Sequence, residues 1–319
     1  MSAVLIVLLF LLGLALTVKG GDFFVDAASW IAEVSGIPKF IVGATIVSIA
    51  TTLPELLVSL MAASRGSIGI AVGNAVGSVT ANVGLIMALS LIFMPAVIRR
   101  RSYAFKLCLL AVSILALYLF CMSGQLSIPA AAVLLAMFVA FMAENLYSAR
   151  HQHEAASDSE RPAKDHRTVR INIIKFVLGA AGIVAGAQLM VDNGTAIAAL
   201  LGVPDAIIGA TLVAIGTSLP ELVTTLTAIA KKQSSLSIGN IVGANIIDLT
   251  VILPLCAVVS GKPLPVLAQN INLDMPFCLA LVLIAVVPPL LTGKLRRVQG
   301  ALMLIVYVVY VALLVVSAA

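Results

Sequence analysis

Charge is scarce in this chain. Only 10% of its 319 residues are Asp, Glu, Lys or Arg, while 61% are hydrophobic and the mean hydropathy is +1.16. A soluble domain carries about 25% charged residues, so a water-soluble globule is excluded and an integral membrane protein is expected. Histidine is rarer still: His151, His153 and His166 all sit in one polar stretch, and no apolar run contains one. An intramembrane metalloenzyme of the HExxH kind is thereby excluded, and neither an enzyme nor a resident cofactor is expected. The four cysteines, Cys108, Cys121, Cys256 and Cys278, are scattered through apolar segments without a CxxC spacing. They indicate neither a disulfide framework nor a zinc site and are read as packing residues. Alternation of apolar with polar residues is also missing, which argues against a β-barrel.

What is present is a set of long apolar runs. Ten are long enough to cross a bilayer as helices: roughly 3–34, 38–64, 70–97, 103–122, 127–149, 171–201, 204–230, 236–260, 271–292 and 297–317. The first lacks a basic leader and a clear cleavage site, so it is read as a retained helix. The net charge of +5 matters less than its placement. Lys and Arg gather in alternate loops, at Lys39, at Arg99 to Lys106, between Arg150 and Lys175, at Lys231 and Lys232, and at Lys294 to Arg297. By the positive-inside rule both termini lie outside a cell (inner) membrane and residues 150–170 are cytoplasmic. The lipid bilayer is the expected partner; nucleic acid and an obligatory protein partner are not implied.

The chain also repeats itself. Residues 41–82 recur without a gap as residues 207–248, at an offset of 166. Gly20 and Asp26 match Gly186 and Asp192 at the same offset, so each half is expected to hold five helices. Five is odd, and the second half must enter the membrane in the opposite sense, as in transporters that bind substrate near the midplane between inverted repeats. The expected fold is therefore an all-α membrane protein of ten transmembrane helices in two inverted five-helix repeats. Residues 1–149 and 171–319 form the repeats, and the polar stretch 150–170 forms a flexible tether between them.

Oxygen-bearing side chains lie along the repeated segments. In the second run Ser48, Thr51, Thr52, Glu55 and Ser59 follow helical spacing on one face. The seventh run answers with Ala214, Thr217, Ser218, Glu221 and Thr225. The third adds Asn74, Ser78 and Asn82, and the eighth Asn240, Ala244 and Asp248, with Asn245 off the stripe. Pro54 and Pro220 directly precede the glutamates. A helical proline clashes with the carbonyl four residues back, here that of Ala50 or Gly216, and unpaired backbone at membrane depth must line a cavity or meet another partner. Carboxylates, hydroxyls, amides and freed carbonyls make an all-oxygen set suited to a hard cation, Ca2+ above all. Ionised groups at the bilayer centre cost at least about 2.5 kcal/mol each on insertion scales, so Glu55, Glu221 and Asp248 require a compensating cation. A carrier that changes access only when they are neutralised couples two cation fluxes. Elsewhere, Lys19 and Asp22 are expected to neutralise each other one turn apart, and Asp26, Glu33 and Asp192 to lie at the interface.

The blocks GATIVSIATTLPELLVS and GATLVAIGTSLPELVTT, each followed by a GN-x-x-G segment (GNAVGSVTAN and GNIVGANIID), resemble the α-repeats of the Ca2+/cation antiporter superfamily. The likeness is strongest to its sodium/calcium exchanger branch, particularly the compact prokaryotic members. That resemblance implies a secondary active antiporter exchanging Ca2+ for Na+ by alternating access. It implies that Glu55 and Glu221, with the backbone oxygens of Thr51 and Thr217, hold Ca2+. Na+ would use the same glutamates with Ser48, Thr51, Ser78 and Ser218 on one side and Ala214, Thr52 and Thr217 on the other, with Asn82 and Asp248 completing the middle. The first and sixth helices would be the sliding pair. Ala244 departs from the family, which commonly places a serine there, and this leaves H+- or K+-coupled exchange as the alternative. A cation channel is the reading from a different class.

Overall fold

In hydrocarbon every backbone N–H and C=O must be paired within the protein, and a continuous apolar run achieves this only as a helix. The computed structural model describes residues 2–66, 68–97, 100–155, 165–201 and 214–318. Among them nine helices are long and apolar enough to span a membrane. We number the helices α1 (Ala3–Ser35), α2 (Lys39–Ser64), α3 (Ile68–Ala81, continuing through Asn82–Met87 to Phe93), α4 (Arg100–Cys121), α5 (Ile128–Ala155) and α6 (His166–Leu200). Then come the short α7 (Ala214–Thr217) and α8 (Leu219–Ala230), followed by α9 (Ser234–Ser260), α10 (Asn270–Thr292) and α11 (Arg297–Ala318). The expected seventh span, 204–230, begins in residues outside the described set; α7 and α8 are what is described of it.

Two short antiparallel ladders indicate that the α7–α8 segment crosses as well. Strand β1 (Ala96–Val97) pairs with β4 (Lys294–Leu295), and β2 (Gln125–Leu126) pairs with β3 (Leu264–Pro265). Loops joined by backbone hydrogen bonds share one side of the membrane, so an even number of crossings separates them. Between β2 and β3 lie α5, α6, α9 and the α7–α8 segment; the parity closes only if α7–α8 is a tenth crossing.

The helices order themselves by how much polarity they carry. Most enclosed are α3 and α9, buried over 72% and 83% of their most apolar windows, and α1 and α6 the least at 22% each. Leu8, Leu11, Val177 and Leu178 on that outer pair are exposed, a lipid-facing surface rather than a defect. α1 and α6 meet backbone to backbone. A Cβ added at Gly13 would lie 2.8 Å from the Gly186 carbonyl oxygen, and one at Gly20 2.8 Å from that of Gly179. Gly13 and Gly179, like Gly20 and Gly186, are 166 residues apart, so each contact is the other's mate about the axis relating the repeats. Small residues at membrane helix interfaces permit this approach.

Two expectations are corrected. Helix α5 continues to Ala155 and α6 begins at His166, so the polar stretch 150–170 is helical at both ends rather than a tether throughout. Among the described residues no ion pair joins Lys19 to Asp22; Asp22 meets Lys231 instead, with Nζ to Oδ1 at 3.5 Å. The physical reason is packing, because the end of α8 lies against α1 and brings a cation from the other repeat.

The joint between α2 and α9 is equally close: a Cβ on Gly239 would sit 2.2 Å from the Phe40 carbonyl oxygen. Gly239→Ala is therefore expected to push the two helices apart at a cost of about 1–3 kcal/mol, read as a lowered thermal midpoint of the detergent-solubilised protein. An unchanged midpoint would refute the contact.

Candidate functional site

Helix α2 turns its polar stripe inward. Ser48, Thr51, Thr52, Glu55 and Ser59 are buried, while Ile46, Ile49, Leu53 and Leu57 are exposed. An ordinary amphipathic helix in water does the opposite; in lipid the oxygen ladder is excluded from the solvent and has to find partners inside. In the second copy Glu221, Thr224 and Thr225 are likewise buried and Leu226 exposed. Both Glu55 and Glu221 are 0% exposed.

The stripes meet across the repeat axis in matched pairs. Thr51 Oγ1 donates to Asn240 Oδ1 at 3.2 Å, and Thr217 Oγ1 donates to Asn74 Oδ1 at the same 3.2 Å. Thr51 and Thr217 are equivalent by the offset of 166, as are Asn74 and Asn240. The two bonds are therefore one bond made twice, each joining a hydroxyl of one repeat to an amide of the other. The glutamates are crossed in the same way. Thr52 Oγ1 donates to Glu221 Oε1 at 3.4 Å, and Ser218, the equivalent of Thr52, sits beside Glu55 without an aligned hydrogen bond. Each carboxylate thus faces the hydroxyl of the opposite half.

Backbone irregularity marks the same level. Asn82 begins a π-helical stretch, Asn82–Met87, and its equivalent Asp248 begins another, Asp248–Ile252. Such π-bulges concentrate at functional sites because they shift side chains out of the regular register. The prolines act differently in the two halves. α2 runs unbroken through Pro54, whereas the helix of the second half breaks at Ser218 (φ −90°, ψ 7°) between α7 and α8, with Pro220 in the first turn of α8.

Electrostatically the centre is anionic. Glu55 is within interaction range of both Glu221 and Asp248, and among the described residues none of the three has a cationic side-chain partner. Both oxygens of Glu55, Oε2 of Glu221 and both oxygens of Asp248 are buried without a hydrogen bond. The same holds for the hydroxyls of Ser78 and Ser218 and for both amide atoms of Asn82. Buried polar groups are ordinarily satisfied, so this concentration of unsatisfied oxygens has the chemistry of a cation-binding set. Among the described residues no three His, Cys, Asp or Glu side chains converge closely enough to hold a metal alone. The carboxylates must be supplemented by hydroxyl, amide and carbonyl oxygens, which suits a hard ion and not a soft one.

Of the other expected ligands, Ser48 is buried but its hydroxyl donates to the Thr45 carbonyl at 3.1 Å. Ala214 opens α7, and its side chain lies outside the described residues. Asn74 and Asn240, members of the stripe that were not in the expected ligand set, are the residues that tie the halves together. Asn74 Nδ2 also donates to the Glu55 carbonyl at 3.2 Å and to Ser59 Oγ at 2.9 Å. Asn245, off the stripe, is buried with both amide atoms unpaired. Only their shared offset would have flagged Asn74 and Asn240 in the sequence.

A cavity of about 430 Å3 reaches this centre from one end. Its lining includes Pro54, Val58, Gln188, Asp192, Thr217 and Pro220.

Comparison with known proteins agrees with this geometry. The sequence matches the profile of the sodium/calcium exchanger protein family over residues 5–146 and 171–316. It is 32% identical over 309 residues to the uncharacterized membrane protein MJ0091 of Methanocaldococcus jannaschii, covering 95% of this chain and 96% of that one. It is 32% identical over 343 residues to the sodium/calcium exchanger MaX1 of Methanosarcina acetivorans, covering 96% and 97%. The structure superposes on that of the sodium-calcium exchanger NCX_Mj soaked with 2.5 mM Na+ and 10 mM Sr2+, with a TM-score of 0.85, 30% identity and coverage of 98% and 99%. The chain belongs to the sodium/calcium exchanger family.

Proposed function

We propose that this protein exchanges Ca2+ for Na+ across the membrane by alternating access, the two ions competing for one site at Glu55 and Glu221. The observation that carries the reading is the pair of fully buried glutamates, without a cationic side-chain partner among the described residues, next to the two-fold-related Thr51–Asn240 and Thr217–Asn74 hydrogen bonds. Ca2+ is bound by the two glutamates with the backbone oxygens of Thr51 and Thr217. Na+ is bound by the same glutamates with Ser48, Thr51, Ser78 and Ser218 on one side and Thr52, Thr217 and the Ala214 position on the other. Asn82 and Asp248 complete the centre.

The coupling follows from charge. A buried charge left without its partner is strongly destabilising, so rearrangement with an empty site exposes uncompensated carboxylates to a low-dielectric core. Ca2+, or a set of Na+ ions of similar total charge, removes that penalty and lets the α1–α6 pair slide along its glycine contact. One binding site serving both ions in turn makes the exchange obligatory. The distribution of Lys and Arg supports termini outside and the 150–170 segment in the cytoplasm, as expected for a cell (inner) membrane. On that orientation the 430 Å3 cavity, which runs towards the C-terminal half of α6, opens outward. Ala244 stands where the first repeat has Ser78, and the missing hydroxyl weakens one Na+ position. This is the feature that favours H+ or K+ as a second driving ion.

Ca2+ uptake into proteoliposomes under opposing Na+, K+ or H+ gradients tests the function: uptake driven by outward Na+ is expected. Passive flux independent of any counter-gradient would indicate a channel, and absence of flux would refute the exchanger. Glu55→Ala and Glu221→Ala are each expected to abolish exchange, because each removes one of the two carboxylates of the shared site. Near-normal exchange in either variant would overturn the site. Ala244→Ser is expected to lower the Na+ concentration that half-saturates exchange, and an unchanged Na+ response would show that this position does not bear on Na+ binding.

A further inference from the structure

One end of the molecule is held shut by a charged contact between the repeats. Lys231, directly after α8, places Nζ 2.7 Å from Asp26 Oδ1, 3.0 Å from the Asp22 carbonyl oxygen and 3.5 Å from Asp22 Oδ1. Beneath this contact Gly21 packs so closely on Val223 and Thr227 that an added Cβ would lie 2.9 and 2.8 Å from them. α1 is sealed against α8 here.

The offset of 166 carries each member of that contact to the other end: Lys231 to Arg65, Asp26 to Asp192 and Asp22 to Gln188. The cation remains a cation and the principal carboxylate remains a carboxylate. Where Asp22 supplied a second acceptor, Gln188 offers an amide oxygen. Yet the equivalent contact is not made. Arg65 is exposed after the last turn of α2 and has no ion-pair partner among the described residues. Asp192 is exposed and accepts from Gln188 Nε2, one turn back, at 2.8 Å. Asp192 and Gln188 line the 430 Å3 cavity, with Val58 of α2, two turns before Arg65, also in its lining.

We propose that Lys231 with Asp26 and Asp22, and Arg65 with Asp192 and Gln188, are alternating gates: one set closes in each of the two access states. The inference rests on the exchanger reading, because inverted repeats reach their second state by trading conformations, and a contact between α8 and α1 then becomes one between α2 and α6. In the opposite state Arg65 crosses the mouth of the cavity, the Gln188–Asp192 bond is given up to the guanidinium, and the Lys231 contact opens. Partly exposed ion pairs of this kind bias an equilibrium by only a few-fold. That modesty fits a gate, since each set must break once in every cycle.

Hydrogen–deuterium exchange of the full-length chain in nanodiscs, read by mass spectrometry over stretches 184–195 and 18–29, tests this without requiring transport. Arg65→Gln and Asp192→Asn remove the gate of the state not seen here, so a few-fold greater uptake is expected in 184–195 and less in 18–29. Lys231→Gln and Asp26→Asn should shift the two stretches in the reverse directions. The swap of Arg65→Asp with Asp192→Arg should return both to the wild-type pattern. Uptake unchanged by Arg65→Gln and Asp192→Asn, uptake rising in both stretches together, or a swap that fails to restore the pattern would each overturn the proposal. If flux is absent while these opposed shifts appear, the exchanger reading fails and the gates stand; Na+-driven exchange without the shifts is the reverse result.

Discussion

Carboxylates without counter-charges at the middle of a bilayer are the constraint on which the rest of this structure depends. In water Glu55, Glu221 and Asp248 would cost nothing; buried together they demand oxygen-lined surroundings and neutralisation of their charge. That demand explains why α2 turns Ser48, Thr51, Thr52 and Ser59 inward and Leu53 and Leu57 to the lipid. It fits the asparagines that α3 and α9, the most enclosed helices, carry among their apolar residues, Asn74 and Asn82 on one and Asn240 and Asn245 on the other. Gly239 and Gly243 let the backbone of α9 approach within contact of Phe40, Ala44 and Ser48 on α2, and this approach is what lets Thr51 reach Asn240. A single alkyl branch at either glycine would hold the two half-sites apart.

Much of this was legible in the sequence because the membrane leaves few alternatives. Run length sets helix number, and a gapless repeat of odd helix count sets inversion. A proline–glutamate pair inside an apolar segment is too costly to serve packing alone, so its presence in both halves pointed to the site. What the sequence could not supply was the partner of each side chain across the repeat axis. Asn74 and Asn240 read as members of the oxygen-bearing stripes, but only the structure sets Thr217 and Thr51 against them. Lys19, one turn from Asp22, was the natural partner by local spacing, yet Lys231 takes that place because tertiary packing brings the end of α8 to α1. Likewise, the ends of α5 and α6 extend helical structure into the polar stretch, where composition alone pointed to a loop.

The remaining difference lies between two nearly identical segments. TTLPEL and TSLPEL carry the same proline and the same glutamate, but only the second is broken before its proline. Gly216, standing where α2 has Ala50, contributes about 1 kcal/mol to that difference and the shared proline contributes nothing; intrinsic propensity alone does not produce the rest. Tertiary surroundings must, and they differ at this level: α7 and Pro220 border the cavity on their own side, while the corresponding surface near α1 is closed by Gly21, Val223, Thr227 and Lys231. Two copies of one sequence pattern thus hold two conformations within a single molecule. If the pattern itself tolerates both, exchanging them costs little beyond the contacts at each end, and on the proposed exchange a bound cation supplies the compensation that the carboxylates need while those contacts are remade.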